Sequence, residues 1–481
     1  MISVVGLGVE KGDLTNRGKD AILSAIKDGK TVVARTAFTK SYENLTSLGV
    51  QHVCLDDVYQ KSRSFSSLHK NLAAAVLAFG DGTVYCVDGS CTEDNSVKVL
   101  QKKLRGKMNI VDGVSKISAL VQAAAFEDCS YTAVSAYELE EKARCGLTTP
   151  LIVYDVDDRA LASDVKLILS NLFGDETQIK FLGEKGAKKI PMYEMDRQKD
   201  YTYLTAVAIE KKDVVQKTRF SLADLQEIIV RLRAPDGCPW DRVQTPESIK
   251  MDVIEEAYEL VDAIDSKDDE KLLEETGDIL LQAVFHAVMK DETGAFNLTD
   301  VISGICQKLI SRHTHVFGQD TAADETGALG VWDQNKMKEK NQVTFGDSVN
   351  DVPKCFPAAL RAQKVGKRAA KAGMDFMDVE DAKKRLVEEI AEFESAYNLG
   401  DKENAEKEIG DVLFAVVNVA RKAGIDAEKA LKESTEKFAE RFTLAEKLAL
   451  GDGKVVTQLS YEEWDKYYLK AKAQLKDKKC N

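Results

Sequence analysis

The chain has 481 residues, of which 44% are hydrophobic and 31% charged, with a formal net charge of −13. At roughly 100–200 residues per domain this predicts several globular domains rather than one core, and the acidic balance weighs against a grip on polynucleotide or an anionic membrane. No apolar run approaches the ~18–20 residues of a bilayer span, the Met1-Ile2-Ser3-Val4-Val5-Gly6 start has no basic leader, and nine scattered cysteines without a C-x-x-C pair point to a reducing cytoplasm.

The first block, to about residue 210, alternates as α/β proteins do. Ile2–Val5 reads as a buried strand, followed by a glycine turn and a helix over Asn16–Lys27. Thr31–Ala34, Thr83–Val87 and Asn109–Val111 are further strands, with helices at Leu68–Phe79 and Thr92–Leu104 between them. A second set follows: strand Leu151–Val156, helix Ala160–Leu172, strand Gln178–Leu182 and strand Tyr203–Ile209. Glu210–Lys217 is charged and aperiodic, and reads as a linker. From Ser221 onward amphipathic helical patterns dominate, punctuated by the prolines of Val352-Pro353-Lys354-Cys355-Phe356-Pro357. The expected organisation is an α/β domain over 1–212 and two all-α modules over 218–345 and 352–476.

A repeat supports the two modules. Glu255-Glu256-Ala257-Tyr258-Glu259 returns 133 positions later as Glu388-Glu389-Ile390-Ala391-Glu392, and Glu275-Thr276-Gly277-Asp278 returns at the same offset as Glu408-Ile409-Gly410-Asp411. Lys308/Arg312 and Lys437/Arg441 recur at an offset of 129. Two acidic motifs, a shared spacer and a basic pair, twice in one order, indicate a duplicated module.

Glu256 and Glu259 are three apart on one helical face, as are Glu275 and Asp278 on the next helix, so antiparallel packing would bring four carboxylates together. A solvated charged face is the alternative for Glu255. Asp278 and Asp411 each open a helix that is apolar nearly all round, which predicts burial, and a buried carboxylate must be paired or bind metal. An all-oxygen donor set suits Mg²⁺ or Mn²⁺ and disfavours zinc or copper; the Glu-x-x-His pairs of a ferritin-like di-iron site are missing from both copies. The Lys-x-x-x-Arg pairs lie on one helical face and could neutralise phosphate oxygens, or form a salt-bridged surface stripe.

The helical region resembles the MazG family of nucleoside triphosphate pyrophosphohydrolases. The E-E-x-x-E…E-x-x-D signature occurs twice, flanked by Leu232-Arg233-Ala234-Pro235-Asp236-Gly237-Cys238-Pro239-Trp240-Asp241 and Arg312-His313-Thr314-His315-Val316-Phe317, and in the second copy by Lys364-Val365-Gly366-Lys367-Arg368. The resemblance covers roughly 215–475. It implies metal ligation by Glu389, Glu392, Glu408 and Asp411 and by their counterparts Glu256, Glu259, Glu275 and Asp278, with Glu388 and Glu255 orienting water. It places Arg385, Lys437 and Arg441, with Lys308 and Arg312 in the first copy, at phosphate-contacting positions. Tyr468 falls near the base, where the first copy has Trp332 followed by Lys336. The implied reaction is attack of a Mg²⁺-activated water on the α-phosphorus, giving NMP and pyrophosphate, in a chain that forms homodimers.

Val4-Val5-Gly6-Leu7-Gly8, Val84-Tyr85-Cys86-Val87-Asp88-Gly89 and Val111-Asp112-Gly113-Val114-Ser115 resemble the tetrapyrrole (corrin/porphyrin) methylase fold over about 1–210. That family binds S-adenosylmethionine, which would implicate Gly6, Gly8, Asp88, Gly89 and Ser115. Its loop prolines are replaced here, and no proline precedes Pro150. Proline stiffens tight turns, so the domain is expected to fold without methylating a tetrapyrrole. A methyltransferase with a helical partner, and a non-catalytic nucleotide sensor, are the alternatives to a pyrophosphohydrolase.

Overall fold

The computed structural model describes every residue except 63, 64, 341, 343 and 481. It divides into two compact units, Met1–Leu298 and Thr299–Asn481, each taken by itself below.

The first unit begins with two five-stranded sheets. Strands β1 (Ser3–Gly6), β2 (Val32–Ala34), β3 (Val53–Cys54), β4 (Val84–Val87) and β5 (Asn109–Val111) form a parallel sheet in the order β3-β2-β4-β1-β5. Val4 is paired with Tyr85 on one side and Ile110 on the other. A central parallel strand is covered on both faces, which is why β4 is valine-rich and wholly buried. The second sheet holds β6 (Thr132–Ser135), β7 (Leu151–Tyr154), β8 (Gln178–Gly183), β9 (Gly186–Pro191) and β10 (Ala206–Ile209) in the order β6-β7-β10-β8-β9, antiparallel except for β6 with β7. The helix over Arg159–Phe173, capped by Asp158, packs Ala162, Val165 and Leu169 into that sheet's core with Val153, Phe181 and Val207.

The expected central strands and the Asn16–Lys27 helix are present. Three strands carry no readable signal, β3, β6 and β9, and all three are sheet edges. Edge strands are short or charged because one side faces water; β9 reads Gly-Ala-Lys-Lys-Ile-Pro. The stretch after Ile209 is less free than its composition suggests. Val214 is buried in a single 3₁₀ turn, and Asp213 takes a bidentate pair from Arg231 at 3.0 and 2.8 Å.

Long helices follow. Those of the first unit are α1 (Leu222–Arg233), α2 (Asp252–Ser266) and α3 (Asp269–Asp291). Ser221 and Asp224 start α1 with a reciprocal capping box. Lys267, in the left-handed region at φ 58°, ends α2, and the Asp268 side chain caps α3 two residues on, so the pair forms a tight hairpin. The next helix, α4 (Leu298–Arg312), begins at the boundary. The second unit then contains α5 (Glu325–Glu339), α6 (Ala358–Lys371), α7 (Val379–Asn398), α8 (Lys402–Lys422), α9 (Ala427–Gly451) and α10 (Tyr461–Cys480). Here Gly400 at φ 70° and the Asp401 cap repeat the hairpin between α7 and α8.

One expectation is corrected. Asp278 and Asp411 lie inside α3 and α8 rather than opening them, and neither helix is buried all round. In α8, Ala415, Val417 and Asn418 are buried while Leu413 is 63% and Phe414 42% exposed. A two-helix hairpin covers one stripe of each helix, so the remaining apolar face is left uncovered in a single chain.

Candidate active site

The carboxylates come together as the helical spacing requires, three at a time. Oxygens of Glu256, Glu259 and Glu275 all lie within 4.8 Å of one another, as do those of Glu389, Glu408 and Asp411. The first copy leaves Asp278 outside its triad and the second leaves Glu392 outside. Asp278 is still felt: burial and then the charges of Asp278, Glu259, Glu275 and Asp252 push the Glu256 carboxyl above its ordinary value. Glu275 is raised by burial and by Glu259, Glu274 and Asp278.

The second cluster contains a cation. Arg385, one turn before Glu389 on α7, donates to Glu389 at 2.7 Å and to Glu388 at 3.0 Å, and lies 4.0 Å from Glu392. Its guanidinium is held above its usual pKa by Glu388 and Glu389. The position 133 residues earlier is Asp252, so one copy has a positive charge where the other has a fifth acid. Glu255 and Glu388 are exposed beside their triads, and Glu388 is engaged with Arg385.

Two acids of the second triad, Glu389 and Asp411, line a cavity of about 730 Å³ together with Arg385, a volume within the roughly 300–1,000 Å³ of small-ligand sites. Phe345, Met374, Phe376 and Phe414 supply apolar wall, and Asp375, Asn418 and Arg421 a polar floor. The sequence marks this floor only faintly. Its signal was a polar Asn418 amid an apolar helix, and Asn418 is 6% exposed.

The basic candidates are distributed differently. Arg312 is buried, pairs with Glu339 at 2.8 and 3.0 Å, and stacks 5.1 Å from the Trp332 ring centre; Lys308 is exposed. Lys437 is exposed on α9, and Arg441 lies 5.9 Å over the Tyr468 ring, itself against Phe438. None of Lys437, Arg441 and Tyr468 lines the cavity beside the triad.

In the α/β region Gly6, Gly89 and Gly113 meet backbone to backbone: a Cβ on Gly6 would fall 2.5 Å from the Gly113 nitrogen and 2.6 Å from the Gly89 oxygen. Gly8 and Gly89 exchange main-chain hydrogen bonds of 3.4 and 2.8 Å. Asp88 is paired with Arg35 at 3.0 Å, and the Ser115 hydroxyl donates to Glu93. A cavity of about 510 Å³ lies nearby, and of these five candidates it is lined by Asp88 alone.

Two stretches, 244–317 and 378–443, match the model of the MazG nucleotide pyrophosphohydrolase domain. MazG of Thermotoga maritima, a nucleoside triphosphate pyrophosphohydrolase/pyrophosphatase, is 41% identical over 250 residues, which is 52% of this chain and 94% of that protein. This chain belongs to the MazG family. The Escherichia coli nucleoside triphosphate pyrophosphohydrolase is 38% identical over 52% of this chain and 96% of its own length. The Bacillus subtilis protein YabN is 33% identical over 98% of this chain and 98% of its own, so that match runs the length of both. Among solved structures, the methyltransferase CobJ matches 44% of this chain and 93% of its own at 14% identity, with a TM-score of 0.31. Both matched MazG stretches contain one of the carboxylate triads. Among the described residues no helix is long and apolar enough to cross a membrane.

Proposed function

We propose that this chain hydrolyses nucleoside triphosphates to the monophosphate and pyrophosphate, principally at the second copy. The observation that carries this reading is the Glu389–Glu408–Asp411 triad, two of whose acids, Glu389 and Asp411, line a cavity of about 730 Å³. Three hard oxygens that close fit Mg²⁺, or Mn²⁺ in its place, with Glu392, three residues past Glu389 on α7, as the fourth ligand of the set. A divalent ion bound there would neutralise phosphate charge and make a water nucleophilic near neutral pH. Arg385 is placed to leave the acids for the triphosphate, and Glu388, freed from it, can accept a proton from the attacking water. Lys437 and Arg441 would bind the departing pyrophosphate and Tyr468 would approach the base, roles that need closure or a second chain. The uncovered faces of α8 and α9, with Leu413, Phe414, Leu431 and Phe438 exposed, fit a homodimer. The cysteines among the described side chains are all free thiols, which fits a reducing, cytoplasmic setting.

Pyrophosphate release by the full chain, across canonical and modified triphosphates with Mg²⁺ or Mn²⁺, tests this. Release that disappears in Glu389→Gln is expected; binding of nucleotide without release would make the protein a sensor instead.

The α/β region, residues 1–212, is proposed to bind a ligand without methyl transfer. Six carboxylates (Asp88, Glu93, Asp94, Asp155, Asp157, Glu184) line its cavity against Arg35, Lys40 and Lys116, and Arg35 and Lys116 are already paired with Asp88, Asp94 and Asp155. Such a lining repels a polycarboxylated tetrapyrrole. Transfer of a labelled methyl group from S-adenosylmethionine to a uroporphyrinogen would overturn this; saturable binding of S-adenosylmethionine without transfer would support it.

A further inference from the structure

The polar floor of the second-copy cavity has an unusual hydrogen-bond balance. Asn418 Oδ1 accepts from Arg421 Nε at 3.2 Å and Nη2 at 3.1 Å, and its Nδ2 donates to the Phe414 carbonyl at 3.2 Å. Reversed, the amide would set its NH₂ against the Arg421 guanidinium and its oxygen against the Phe414 carbonyl, so it can point only one way. Asp375 Oδ1 accepts from Arg421 Nη2 at 2.5 Å and from its neighbour Phe376 N at 2.8 Å. Its Oδ2 accepts from Arg421 Nη1 and Lys422 Nζ, both at 3.3 Å. Each of these oxygens therefore has two donors, which fills its lone pairs. The donors are not used up. One N–H of the Asn418 amide and one of the five on Arg421 have no partner in this network.

We propose that this floor reads the nucleobase by donation alone, and so selects 6-oxopurine triphosphates over adenine. The inference rests on the hydrolytic reading above and names the substrate class of that site. Asn418 lies seven residues past Asp411 on the same face of α8, about 10 Å along the axis. A purine nucleotide spans that distance when its α-phosphate is at the triad; a pyrimidine falls short. Guanine and hypoxanthine present O6 and N7 side by side as acceptors, which match two donors. Adenine puts an amino group at that edge and sets N–H against N–H, since Asn418 Oδ1 and both Asp375 oxygens are already filled. A buried site built to satisfy one hydrogen-bond pattern penalises the mismatched one.

The local packing is specific to this copy. A Cβ on Gly366 of α6 would fall 2.9 Å from Arg421 Nε and 3.0 Å from Asn418 Oδ1, so the glycine lets the helix backbone close over the pair. In the first copy the position seven past Asp278 is Phe285 and that ten past is Val288, both buried. No donor can stand there.

The test compares kcat/KM of the full chain with Mg²⁺ for GTP, ITP and ATP, and measures calorimetric binding of GMP, IMP and AMP. A preference on the order of tenfold or more for the oxo bases is expected in both readouts. Asn418→Asp exchanges the donor for an acceptor at constant size and should bring the GTP:ATP ratio to one or below, while ATP turnover shows the variant is folded. Should that variant not fold, the wild-type ratios decide alone. Equal constants for the three bases, or an unchanged ratio in a folded Asn418→Asp, overturn the base reading and leave hydrolysis standing. Oxo-selective binding of the monophosphates without turnover of any triphosphate would instead sink hydrolysis and keep the base reading.

Discussion

The two copies of the acidic module have the same skeleton and opposite surroundings. Each places three carboxylates within 4.8 Å across a capped helical hairpin. In the first, Asp252 adds negative charge, Glu256 and Glu275 are pushed up, and Phe285 and Val288 fill the wall beyond. In the second, Arg385 balances the acids, and Asn418 and Arg421 line an open cavity. Backbone and carboxylate pattern are present in both copies; Arg385, Asn418 and Arg421 are found in one. A duplicated fold thus preserves what packing demands, while the contacts that only a ligand needs are free to drift.

Removing one acid from each copy separates them most clearly. Glu389→Gln or Asp411→Asn should lower pyrophosphate release from the full chain by about a hundredfold or more, and Glu256→Gln by less than about twofold. Equal losses would make the copies equivalent partners. Next in size, Gly366→Ala should cost about 1–3 kcal/mol in a urea melt, because its methyl overlaps the Asn418–Arg421 pair. Gly277→Ala and Gly410→Ala, mid-helix with no atom within 4 Å of the added methyl, should gain about 0.5–1 kcal/mol. A loss at those two would instead reveal a second chain packed on the motif.

Charge exchange should give a smaller effect of opposite sign in the two copies. Arg385→Ala removes a competing cation and should tighten Mn²⁺ binding at the second copy by about three- to tenfold, while Asp252→Arg weakens it at the first. The smallest effect concerns pH. Bonds from Arg421 and Lys422 hold the Asp375 carboxyl down at about 2, against an ordinary 3.8. A depressed carboxylate contributes its stability above the unfolded value and loses it as pH falls. Thermal stability should therefore drop between pH 3.8 and about 2, and less steeply in Asp375→Asn.

Much of this molecule was legible before folding. β1, β4 and the Asn16–Lys27 helix follow from apolar runs and glycine turns, and the repeat located both triads. The edge strands β3, β6 and β9 were not legible, because a strand exposed along one side needs no continuous apolar pattern. Burial of Asp278 and Asp411 was read from helix composition, which cannot tell a face covered by its own chain from one left uncovered.

Sequence by itself determined the order of elements, the duplicated hairpins and the acids on their faces, because helical and strand periodicities are local and act through neighbours a few residues apart. Which three of four acids converge, the tie of Arg312 to Glu339 and Trp332, and the joining of Asn418 and Arg421 with Asp375 into one floor are visible only in the folded chain. Those are contacts between helices tens of residues apart, and their geometry depends on how deeply each pair packs. A glycine at 366 lets α6 close on the Asn418–Arg421 pair, and nothing near it in the sequence says so.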